Sequence, residues 1–144
     1  MKKIIYTSLA TAAIIFSSCQ NNEKQSEDPK LLSQKAIEIH DEIMPQISTF
    51  NKHTVLIDSI LDNLALIKQQ TPDLDTTSSR HDLSNLKANL ETATDKMMVW
   101  MKEYSMDNTD VSYQEAEIQR ISDLKNEFDT VNQEATKALS PFNK

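Results

Sequence analysis

Between residues 29 and 139 the apolar positions recur at spacings of three and four, the signature of helices buried along one stripe. From Pro29 to Gln70 they keep a seven-residue phase, with Ala36, Ile43, Phe50, Ile57 and Leu64 in one row and His40, Ile47, Thr54 and Leu61 in its companion. Pro45 lies inside this run and removes the hydrogen bond to the carbonyl of Asp41. Because the phase is the same on both sides, the pattern predicts one bent helix. Thr71-Pro72 closes it.

A second helix is predicted from Ser79, where Ser79-Arg80-His81-Asp82 reads as a capping box with aspartate in place of glutamate. Its stripe is Leu83, Leu86, Leu90, Ala93, Met97, Trp100 and Tyr104. After the polar loop SMDNTDV, a third runs from about Ser112, capped through Glu115, to Leu139, with Ile121, Leu124, Phe128, Val131, Ala135 and Ala138 on its stripe. Three long helices with short connections define an all-α fold, an antiparallel three-helix bundle with coiled-coil-like packing.

Pairing the first two helices across the 71–79 connection places residue i near roughly 150 − i, so Phe50 falls beside Trp100 and His53 beside Met97. On that register Pro29 to Met44 overhangs its partner while carrying Leu32, Ala36, Ile39 and Ile43, and an exposed stripe of this kind predicts an association surface. His40 would lie in that seam, so its protonation below a pKa of about 6.5 would weaken association. In the alternative, STFNKHT at 48–54 breaks the helix and its first part folds back, making a four-helix bundle.

The N-terminus has a different pattern. Lys2 and Lys3 precede a 13-residue mostly apolar run, Ile4 to Phe16, and then Ser17-Ser18-Cys19. Spanning a bilayer takes about 20 apolar residues, so the run reads as an export signal. Cys19 is the only cysteine, which excludes an intramolecular disulfide and leaves lipidation as its natural use. The stretch resembles a bacterial lipoprotein lipobox, although Phe16 stands where an aliphatic residue is usual. The resemblance implies cleavage before Cys19, membrane attachment through acyl chains on it, and, because Gln20 is not aspartate, an outer-membrane location with either leaflet open. Gln20 to Glu27 carries no apolar residue and reads as a tether reaching about 16 Å. Asp28-Pro29 then looks like an N-cap with proline at the first helical position. The organisation is thus signal peptide 1–18, lipidated cysteine and tether 19–28, and helical domain 29–144.

Composition narrows the function. Losing residues 1–18 removes two lysines and no acid, taking the net charge from −7 to −9, so no nucleic-acid partner is expected. The chain has no glycine, which removes the phosphate-cradling loops of P-loop and dinucleotide-binding folds.

The residues with most chemical promise lie around MMVWMKEY at 97–104. Met97 and Trp100 are on the predicted seam, Met101 flanks it and Met98 lies to the other side, which suits packing. A soft metal such as copper(I) would want thioether and imidazole, and His40 with Met44 or His53 with Met97 supplies both. Neither a glutamate three residues before a histidine nor a Cys-x-x-Cys-His run is present, which argues against di-iron and covalent haem sites. His40, Met44, His53, Met97, Trp100 and Met101 therefore stand as ligand or interaction candidates, with no metal or cofactor assigned. His40-Asp41-Glu42 is adjacent in sequence, but neighbouring helical side chains diverge, and Asp58 with Asp62 reads as solvated surface. No enzymatic activity is expected.

HDEIMP at 40–45 and DKMMVWMKEY at 95–104 resemble a group of small helical lipoproteins of Gram-negative bacteria, some labelled viral A-type inclusion protein. The resemblance covers roughly residues 30–140 and brings no catalytic residue. The expected function is a lipid-anchored envelope module offering helix surface to a protein partner or to itself, the alternative being a carrier of a small ligand, copper or haem.

Overall fold

A computed structural model describes residues 28–142. The signal run, Cys19 and the tether lie outside the described residues. Helix α1 spans Pro29–Asp62, α2 Leu64–Gln70, α3 Thr76–Glu103 and α4 Val111–Leu139, followed by a 3-10 turn at Ser140–Phe142. No strand occurs among the described residues, and none of their helices is long and apolar enough to cross a membrane.

Aspartate starts all three long helices. Asp28 accepts the amide of Lys30 ahead of Pro29, as the sequence predicts. Helix α3 begins earlier than expected, because Asp75 and not Ser79 is its cap: the Asp75 carboxylate accepts the amides of Thr77 and Ser78 at 2.9 and 3.0 Å. Ser79 instead sits in the first turn and donates its hydroxyl to the Asp75 carbonyl. Helix α4 likewise starts on Asp110, which accepts the amide of Ser112 at 2.9 Å. A carboxylate satisfies an orphan amide and complements the positive end of the helix at once, so in α3 and α4 it takes the place of the serine downstream.

Helix α1 runs through Pro45 without a break, as the shared phase predicts, but the run expected to reach Gln70 is interrupted at Asn63. The Asn63 side chain donates to the Ser59 carbonyl at 2.8 Å while its backbone leaves the helical region at φ −103° and ψ 10°. A side-chain bond of this kind competes with the helical ladder. The 48–54 segment stays helical, so the fold-back to a four-helix bundle does not occur. Among the described residues none has positive φ: α2 ends on Thr71 at φ −132° and ψ 80° and α3 on the extended residue Tyr104, so neither uses the left-handed cap that glycine favours. The α2–α3 connection is closed by the Lys68 ammonium, which donates to the carbonyls of Pro72 and Leu74 at 2.6 and 2.7 Å.

The three stripes meet in one core. Ala36, Ile43, Phe50, Ile57 and Leu64 pack with Leu83, Leu90, Ala93, Met97 and Trp100, and with Ile121, Phe128 and Ala135. The register differs from the sequence expectation. Lys87 meets Asp58 at 2.6 Å and His40 lies tilted against Trp100 at 5.9 Å between ring centroids, five and ten residues short of the 150 − i rule. The shorter connection accounts for part of this shift, and the rest accumulates along the pair. Helix α4 runs parallel to α1 and in register with its first part: Phe50 stacks on Phe128 at 4.8 Å, Gln46 donates to Asp129 at 3.4 Å, and Lys125 lies 3.7 Å from Glu42. Leu32, Ala36 and Ile43 are therefore buried inside the chain, and Pro29–Met44 does not overhang. His40 faces Trp100 of its own chain, which removes the basis for a pH-sensitive association seam there.

Candidate functional site

Four rings line up where α1 begins and α3 turns into α4, three of them stacked and His40 tilted against the end. His40 approaches Trp100, Trp100 lies on Tyr104 at 4.5 Å with 15° between planes, and Tyr104 faces Tyr113 at 6.4 Å and 6°. The row follows from spacing: Trp100 and Tyr104 are one turn apart on α3, while His40 and Tyr113 are supplied by the two flanking helices. Stacked and offset pairs of this type add about 0.5–1.5 kcal/mol beyond their buried area.

Gln114 organises the polar side of the row. It is fully buried; its amide nitrogen donates to the carbonyls of Asn108 and Ser105 at 2.8 and 3.2 Å, and its oxygen accepts the Tyr104 hydroxyl at 2.9 Å. Tyr104 also reaches the Ser33 carbonyl at 3.3 Å, and the Tyr113 hydroxyl accepts the Ser105 amide at 2.8 Å. Two carbonyls of a glycine-free α3–α4 loop are thus bonded by one side chain. Burial raises the Tyr104 phenol above its ordinary pKa, and Tyr113 and Glu117 nearby add to the effect. Glu117 is itself buried, with one oxygen 3.5 Å from Arg120 and the other without a protein partner. Arg120 pairs with Glu103 at 2.5 Å, and that hydrogen bond raises its already high pKa.

Beside the row, between α3 and α4, lies an open groove of about 380 Å³. Trp100 and Leu124 line it with Val99, and Lys96, Arg120 and Glu127 stand around them. The Lys96–Glu127 pair at 2.7 Å holds the two helices together there. MMVWM therefore divides: Met97 and Trp100 are 0% and 2% exposed, whereas Met98 and Val99 are 52% and 46% exposed. Met101 and Met44 are partly buried against the core.

Of the ligand candidates, His40 and Trp100 come together, and His53 stands apart from them. His53 is level with Leu90 to Thr94, because Asn51 and Thr54 share a recess with Leu90, Glu91, Thr94 and Asp95, so the proposed pairing of His53 with Met97 loses its basis. The His53 Nδ1 is buried without a protein partner. Among the described residues no group of three His, Cys, Asp or Glu side chains is placed to hold a metal ion. One expectation about neighbouring charges is corrected: His40 Nδ1 lies 2.8 Å from Asp41, so adjacent side chains do meet, though Asp41 is largely exposed. Asp58 and Asp62 are exposed as expected, and Asp58 also pairs with Lys87 of α3.

Sequence reasoning missed Gln114 and Glu117. The signal was present, since continuing the three-four spacing backwards from Ile121 lands on both; their polarity masked it. No known protein family matches the chain, and no curated protein or solved structure matches it either.

Proposed function

We propose that this chain is a non-catalytic, lipid-anchored module of the bacterial cell envelope, held at the outer membrane through Cys19, whose bundle offers helix surface to a protein partner. The observation that carries the reading is the placement of the sole cysteine directly after a short apolar run and nine residues before the Asp28 cap that starts the bundle. The division of MMVWM supports the second half: its buried members fix the fold, and Met98 and Val99 remain on the outer face of α3 as apolar contacts.

Replacing Cys19 with alanine is the test of the anchor. The variant moves from the membrane to the soluble fraction and takes up no fatty-acid label, whereas wild type stays in the membrane fraction and is labelled. Label retained by Cys19→Ala overturns the anchor. For the interaction surface, a photocrosslinker at Val99 in living cells captures one dominant partner and one at the exposed Glu115 does not; equal capture at both positions sinks that part.

A further inference from the structure

We infer that the end of the bundle where α1 begins rests on the zwitterionic bilayer surface, with Leu31 and Met106 entering the headgroup layer, so that the bundle stands upright on the membrane. The inference rests on the lipid-anchor reading and adds an orientation to it.

Leu31, in the first turn of α1, is 61% exposed, and Met106, in the α3–α4 connection, is 56% exposed. The two belong to one end of the molecule, because Met106 and Asp107 share a recess of about 370 Å³ with Pro29, Lys30, Ser33 and Gln34. The same end receives the chain from Cys19. Eight residues separate Cys19 from Asp28, a length whose random-coil span is about 16 Å on average. A compact domain of 100 residues has a radius of gyration of about 13 Å, so such a partner would not fit beneath the bundle. The bilayer is the surface the tether always presents. At an effective concentration on the order of millimolar, even two half-exposed apolar side chains suffice to bias the contact.

Charge selects the lipid. Asp28, Asp107 and Asp110 outnumber Lys30 around this end, which disfavours anionic headgroups and leaves zwitterionic ones. The remaining exposed large apolar residues of α1 and α2, Val55, Leu56 and Leu66, lie far along the bundle from the tether, so they do not compete for the same contact.

The test uses the full-length acylated protein in vesicles of phosphatidylcholine and phosphatidylethanolamine, with mass spectrometry of the N-terminal peptide reporting acylation. An environment-sensitive fluorophore is placed through Thr109→Cys at the proximal end, or through Asp73→Cys at the distal connection. The expected result is a blue shift at 109 with quenching by lipids brominated in their acyl chains, and neither at 73. Adding Leu31→Asp and Met106→Asp returns the 109 probe to its water spectrum. An acylated protein whose 109 probe stays in water, or whose two probes are quenched alike, overturns the inference while leaving the anchor intact. A Cys19 without acyl chains overturns both.

Discussion

Trp100→Ala is the sharpest test of the core. Trp100 is 2% exposed, and truncating a buried aromatic of this size costs about 3–5 kcal/mol. Its stack on Tyr104 at 4.5 Å adds roughly 0.5–1.5 kcal/mol that alanine also forfeits. Set against about 5–15 kcal/mol for a small domain, the loss is a large fraction of total stability. With a urea dependence of about 1–3 kcal/mol per molar, the unfolding midpoint falls by roughly 2 M. Because the variant has no tryptophan, far-ultraviolet circular dichroism is the common probe for both proteins. Trp100→Phe keeps a ring against Tyr104 and loses less. A Trp100→Ala midpoint equal to wild type refutes the packing, and wild-type emission at the wavelength of free tryptophan would refute the burial.

Asp75→Ala costs about 0.5–2 kcal/mol, as expected of a true N-cap, whereas Ser79→Ala changes the urea midpoint little; the reverse order would restore the serine as the cap. Gln114→Leu strips partners from the Tyr104 hydroxyl and two loop carbonyls, costs about 1–3 kcal/mol and lowers hydrogen-exchange protection near residue 105, and unchanged protection there contradicts its role. The Tyr104 pKa is raised in the fold, so its contribution to stability is complete below the ordinary value of about 10 and disappears as pH rises through the higher folded value. Alkaline unfolding titrations should therefore fall less steeply for Tyr104→Phe than for wild type, and parallel curves would contradict the assignment.

Stripe membership was legible in the sequence because it repeats within each helix: Leu83, Leu86, Leu90, Ala93, Met97 and Trp100 are all buried as their spacing demands. The relation between helices was not. A register depends on where a connection begins, and taking Ser79 for a cap in place of Asp75 lengthened the α2–α3 connection and displaced His53 from its real neighbours. The larger error concerned Pro29–Met44, which is covered by α4 as well as by the end of α3; no periodicity inside α1 announces a parallel neighbour some 80 residues away. The aromatic row was half visible, since Trp100 and Tyr104 share a stripe, but His40 and Tyr113 join it only through tertiary packing.

The stack of Phe50 on Phe128 has a consequence for how the chain reaches its fold. Helices α1 and α3 are neighbours in sequence and can form a hairpin early, yet Ile43 and Phe50 stay open on one side until α4 arrives. Contacts so distant along the chain close late, and a hairpin waiting for them shows its apolar side to any other waiting copy. A chain cut short before residue 111 would therefore be a substrate for aggregation or proteolysis, and the last helix acts as the lock that ends that vulnerable interval.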